Sequence, residues 1–115
     1  MEKKTLDWAE EKDLMHAENR YAQYEKFEEE KAEFEEAWKA YEEDPSEENY
    51  MKMAMEFGDI MVTLIIYAGQ MKLRTEKEFT PSKTLEMAYK KISKRKGKTI
   101  DGTFVKNEDL GKEND

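Results

Sequence analysis

Apolar side chains recur along the chain with a helical rather than a strand period, and two proline-centred breaks divide them into blocks. Leu6, Trp8, Ala9 and Leu14 mark the first block, about Thr5 to Met15. The second runs from about Asn19 to Glu43. On a wheel of about 100° per residue with Tyr24 at zero, Phe27, Phe34, Ala37, Trp38 and Tyr41 lie in an arc from about 220° round to 360°, a core face. Asp44-Pro45-Ser46 ends that block, and Ser46 is placed to cap the next helix, with Asn49 three residues on. The third block, about Glu47 to Leu73, is apolar on nearly every side. Thr80-Pro81-Ser82 is the second break, with Thr80 as N-cap and Pro81 in the first turn. The fourth helix is expected to continue to about Lys96 and stop at Gly97. From Lys98 to Asp115 the chain reads as extended or loose, with Asp101-Gly102 as a turn and a disordered tail over 107–115. The pattern predicts an all-α fold of four helices in one domain, residues 1–106.

Length and composition narrow the picture. A chain of 115 residues builds one modest core. The longest charge-free stretch, Ile60 to Met71, has 12 residues, against the roughly 20 needed to cross a bilayer. The first residues carry no apolar leader, so a cytoplasmic location is expected, or a host cytoplasm if the source is a phage. There are no cysteines, which removes disulfides, thiolate zinc sites and cysteine nucleophiles. A single histidine leaves no room for a multi-histidine metal site.

Charge changes the picture more than composition does. The formal net charge is −8, which disfavours binding to a nucleic-acid polymer. Its distribution is uneven: Glu25 to Glu48 holds twelve acids against three lysines, and Lys83 to Lys98 holds seven bases against one acid. Most acids of the second helix lie on its solvated side, among them Glu28, Glu35 and Glu36. Glu30, at about 240°, falls inside the apolar arc, and Glu33, at about 180°, lies on its edge. Gln23 and Lys26 extend the same polar line. In the apolar third helix Glu56 and Asp59 stand three residues apart and face one way. A carboxylate inside a core stripe costs several kcal/mol unless it is paired or bound to a cation. Two helices therefore each present a pair of acids inward, and oxygen-only ligands of this kind suit Mg²⁺ or Mn²⁺.

These residues resemble the MazG-like family of all-α nucleoside triphosphate pyrophosphohydrolases, whose pattern is E-x-x-E, a spacer, then E-x-x-D. Gln23-Tyr24-Glu25-Lys26-Phe27-Glu28-Glu29-Glu30-Lys31-Ala32-Glu33-Phe34 is similar to the first half, and Glu56-Phe57-Gly58-Asp59-Ile60 to the second, after a 22-residue spacer. Trp8-Ala9-Glu10 resembles the opening of small bacterial and phage members. Ala88-Tyr89-Lys90-Lys91-Ile92, Arg95-Lys96-Gly97-Lys98 and Gly102-Thr103-Phe104-Val105-Lys106 resemble their ending. Phe34 and Phe57 stand where the family has aliphatic residues.

The resemblance implies a four-helix MazG-like bundle with an extended C-terminal tail, completed by oligomerisation to a dimer or tetramer. It implies that Glu30, Glu33, Glu56 and Asp59 ligate Mg²⁺, with Mn²⁺ as a substitute, and that Glu29 is a candidate for activating water. The implied reaction cleaves a (deoxy)nucleoside triphosphate between its α and β phosphates. Lys91 and Arg95 become phosphate-binding candidates, joined by Lys26 and Lys94. A helix C-terminus also attracts bases through its dipole, so Lys94, Lys96 and Lys98 have a plain structural explanation. Trp8, Gln23, Tyr24 and Phe104 are candidates for base contacts. Oligomerisation is also expected from area, because three short charged neighbours cannot cover Ile60 to Ala68 on every side. Two alternatives keep a helical fold without catalysis: an acidic interaction protein, and a nucleotide-binding sensor.

Overall fold

The computed structural model describes residues 1–110. They form four helices, α1 (Glu2–Glu11), α2 (Arg20–Glu43), α3 (Glu47–Thr75) and α4 (Pro81–Ile92), followed by strands β1 (Gly97–Ile100) and β2 (Thr103–Lys106). The all-α expectation holds, with one small strand pair added. The chain divides into two compact units, Met1–Pro81 and the part from Ser82 onward. Among the described residues no helix is long and apolar enough to cross a membrane.

The first unit is built on an antiparallel pair, α2 and α3. Asp44-Pro45-Ser46 separates them, and the Ser46 hydroxyl accepts the Asn49 N–H at 3.1 Å, the N-cap that the sequence signals. Ring pairs run along the pair in opposite order: Tyr24 with Tyr67, Phe34 with Phe57, Tyr41 with Tyr50. The buried apolar residues are mostly small, Ala9, Ala37 and Ala68, together with Ile66. α1 ends at Glu11 rather than near Met15, because Asp13 turns the chain at φ 61°. The carbonyl of Leu14 then accepts from the side-chain amides of Asn19 (3.2 Å) and Gln70 (2.9 Å), which fastens this turn to α3. His16 Nε2 lies 2.6 Å from Asp13 Oδ1, and this pairing raises the imidazole pKa.

α4 begins at Pro81, as expected, and opens the second unit from Ser82, but stops at Ile92, four residues short of Lys96. Its last turn carries Lys90 and Lys91 and the next residues are Lys94 and Arg95, with no acid at helical spacing after Glu86, so continuing the helix would stack like charges. A hairpin forms instead. Asp101 (φ 51°) and Gly102 (φ 80°) supply the two left-handed residues of a type I′ turn, and Gly97 pairs with Lys106. A Cβ on Gly97 would run into the Val105 carbonyl and stand 2.9 Å from the Phe104 ring, so only glycine fits there. Of the tail expected over 107–115, Asn107–Asp109 is a short 3₁₀ turn, and 111–115 lie outside the described residues.

Candidate metal centre

Glu30 lies on α2 facing α3, with Lys26 one turn before it and Glu33 one turn after it. It is only 7% exposed, despite its charge. The helical period that puts Phe27, Phe34 and Ala37 against α3 puts Glu30 there too. The antiparallel register brings Glu56 of α3 to the same level. One oxygen from each of Glu30, Glu33 and Glu56 falls within 4.8 Å of the other two. Glu30 is buried, Glu56 half-buried and Glu33 exposed.

Among the described residues one cation, Lys26, serves this group. Lys26 Nζ lies 3.2 Å from Glu30 Oε1 and 3.7 Å from Glu29 Oε2. The hydrogen bond to Glu30, aided by the surrounding acids, raises the Lys26 pKa. Glu30 Oε2 and Glu56 Oε2 are buried and have no hydrogen-bond partner. Buried carboxylate oxygens without partners are costly. Glu33 reports the same crowding. Its pKa is raised, first by a hydrogen bond to Glu30 that only the protonated acid can donate, then by repulsion from Glu30, Glu56 and Glu29. The group is thus short of positive charge, which a proton or a cation can supply.

The donor set fits a hard divalent ion. The three oxygens lie within 4.8 Å of one another, about the widest separation of two oxygens on one ion with bonds of about 2.4 Å. Asp59, the fourth expected ligand, is exposed and is not part of the three-carboxylate group. Glu29 is exposed and holds Lys26.

The remaining sequence candidates are dispersed. Gln23 is buried and its amide donates to the Thr63 carbonyl at 3.2 Å, a bond that ties α2 to α3. Tyr24 is half-exposed, tilted against Phe27 and Tyr67. Trp8 is half-exposed and lines a shallow apolar hollow with Met1, Lys4, Thr5 and Val62. Phe104 stands on β2 with its ring close to Gly97. Lys91, Lys94 and Arg95 line one cleft in the second unit. Lys91 and Arg95 do not share a helix face, as their spacing suggests, because α4 ends between them at Ile92. Sequence reasoning missed Lys106, which lines the same cleft. The signal was the Asp101-Gly102 turn, whose two-residue geometry sets Lys106 opposite Gly97.

Protein-family models, curated proteins and solved structures were all compared with the chain, and none matches it.

Proposed function

We propose that the chain is a metal-dependent nucleoside triphosphate pyrophosphohydrolase of the MazG-like type. It would add water across the α–β phosphoanhydride of a (deoxy)nucleoside triphosphate to give the monophosphate and pyrophosphate. The observation that carries this reading is the pair of buried, unpartnered oxygens, Glu30 Oε2 and Glu56 Oε2, in a group of three converging carboxylates. A helical scaffold has no use for that arrangement, since replacing buried charges by apolar side chains stabilises many proteins.

Glu30, Glu33 and Glu56 would hold Mg²⁺ or Mn²⁺, with Asp59 proposed to join them. A divalent ion bound there supplies a lowered pKa for coordinated water and neutralises phosphate charge. The chain's own groups do the rest. Lys26 holds Glu30 in place through Oε1, while Oε2 is left without a partner. Glu29 is the candidate to take a proton from water. Within the first unit Lys26 is a proposed phosphate contact and Trp8, Gln23 and Tyr24 proposed base contacts; within the second unit Lys91, Lys94 and Arg95 are proposed phosphate contacts and Phe104 a proposed base contact. The apolar side chains that α3 leaves half-exposed, among them Met51, Met55, Met61 and Leu64, are proposed to be covered by a second copy of the chain.

The test is to incubate the protein with each (d)NTP and Mg²⁺ and identify the products. Monophosphate and free pyrophosphate are expected, and Glu56→Gln should reduce turnover by at least about 100-fold. Asp59→Asn should reduce it comparably if that residue joins the metal. Orthophosphate as the product, or turnover indifferent to Glu56→Gln, overturns the reading. Sedimentation should show a dimer or tetramer at micromolar concentration.

A further inference from the structure

Lys26 and Glu30 stand four residues apart on α2, the spacing that also joins Lys3 to Asp7, Glu35 to Lys39 and Glu86 to Lys90. In those three pairs both side chains are more than half exposed, and such pairs add little to stability. The Lys26 pair is built differently. Its carboxylate side chain is only 10% exposed, while the lysine side chain is 49% exposed. Lysine also precedes glutamate, the less favourable order along a helix. Helix support therefore does not explain it.

The pairing makes the two oxygens of Glu30 unequal. Oε1 lies 3.2 Å from the Lys26 ammonium, whereas Oε2 is buried and has no partner. A divalent ion that took Glu30 through both oxygens would have to share Oε1 with a charge of its own sign. An ion that took Oε2 alone would not. Divalent ions differ in what this costs them. Ca²⁺ gathers about six to eight oxygens at about 2.3–2.6 Å and commonly takes a carboxylate through both. Mg²⁺ holds a tight octahedron at about 2.0–2.1 Å, keeps several waters and needs only single carboxylate oxygens.

We propose that Lys26 is a positioning residue that restricts Glu30 to one metal-binding oxygen, and so biases the carboxylate group towards Mg²⁺ and against Ca²⁺. This role rests on the metal-centre reading of Glu30, Glu33 and Glu56 given above. It acts through Glu30 and requires no contact between Lys26 and the ion. Partners of this kind, which hold a ligand rather than the metal, tune both affinity and selectivity. The charge of Lys26 also weakens binding of every dication, but that effect is common to Mg²⁺ and Ca²⁺ and cancels in their ratio.

The test loads the full chain with Mn²⁺ and displaces it with Mg²⁺ or with Ca²⁺, reading free Mn²⁺ by electron paramagnetic resonance. The two displacing concentrations give the Mg²⁺/Ca²⁺ selectivity without any assay of turnover. Lys26→Met should move that ratio towards Ca²⁺ by at least about fivefold. Lys26→Arg, which keeps a cation for Oε1, should stay within about twofold of wild type. Lys31→Met removes the same charge from the same helix, but from a lysine paired with Glu28, and should also leave the ratio within about twofold. If Lys26→Met loses its helical circular dichroism, Lys26→Gln replaces it with the same expected direction. Mg²⁺ and Ca²⁺ affinities that rise together at Lys26→Met overturn the proposal, because Lys26 would then act through charge alone. A ratio that Lys26→Met leaves unchanged, or that Lys31→Met shifts equally, overturns it as well. Absence of Mn²⁺ binding to the wild-type chain removes the metal centre and this role together, whereas binding with a ratio indifferent to Lys26 removes this role alone.

Discussion

The acidic group of the first unit and the basic cleft of the second both concentrate like charge, but they are built and solvated differently. Glu30 and Glu56 are carried into an interface by two long helices whose apolar residues must pack, so the carboxylates are buried along with them. Lys94, Arg95 and Lys96 lie on a turn between a helix and a hairpin, and all three are exposed. Water stabilises the second arrangement and is denied to Glu30 Oε2 and Glu56 Oε2 in the first. Burial turns repulsion among like charges into a demand for a specific counter-charge, whereas exposure leaves an attraction that a suitable anion can use but the fold does not need.

The strongest way to break this comparison is to remove charge from the buried group. Glu30→Gln together with Glu56→Gln should lower Mn²⁺ affinity by at least about 100-fold. The same change should raise metal-free stability by about 1–3 kcal/mol, because two buried, unpartnered anionic oxygens are lost. Denaturant midpoints measured in EDTA check the second effect. A fall in stability would mean that the carboxylates serve the fold, and the contrast with the cleft would fail.

A second test separates the units by their backbone. Gly97→Ala places a Cβ against the Val105 carbonyl and the Phe104 ring, and backbone cannot yield as a side-chain tip can. Overpacking of this kind costs about 1–3 kcal/mol. Amide exchange should lose protection along residues 97–106 and stay unchanged in α2 and α3. Loss of protection in both units at once would show that they unfold together.

The same contrast explains what the sequence made legible. Glu30 could be found because a helical period fixes angle, and a carboxylate at the angle of Phe27 and Phe34 must go where they go. Ser46 and the Asp44-Pro45-Ser46 break were equally local. Angle does not state how far a neighbouring helix reaches, so Tyr24 and Trp38, inside the apolar arc, remain half-exposed. Asp59 stands three residues after Glu56 on α3, yet is exposed and stays outside the carboxylate group. The end of α4 was misjudged because Gly97 reads as a helix stop. Its role is instead set by a strand pairing partner nine residues later. The cleft follows from that pairing, so Lys106 becomes visible only once the Asp101-Gly102 turn is read as a hairpin.

The smallest effect is the most discriminating for the basic cleft. Lys94→Gln with Arg95→Gln removes two exposed charges that have no ion-pair partner among the described residues. If the cleft is kept for a triphosphate rather than for the fold, stability without inorganic tripolyphosphate, its stand-in, should stay within about 0.5 kcal/mol of wild type, the usual range for surface changes. Relief of repulsion among the neighbouring bases makes a slight gain the expected sign, and that gain should shrink as salt rises. Excess tripolyphosphate should then stabilise the wild-type chain more than the variant, since a ligand that binds only the folded state raises stability with its concentration. Thermal melts with and without tripolyphosphate, in EDTA, give both numbers from one pair of proteins. A variant clearly less stable than wild type in the absence of any anion would show that these bases hold the turn itself, and the cleft would then resemble the acidic group in being part of its own scaffold.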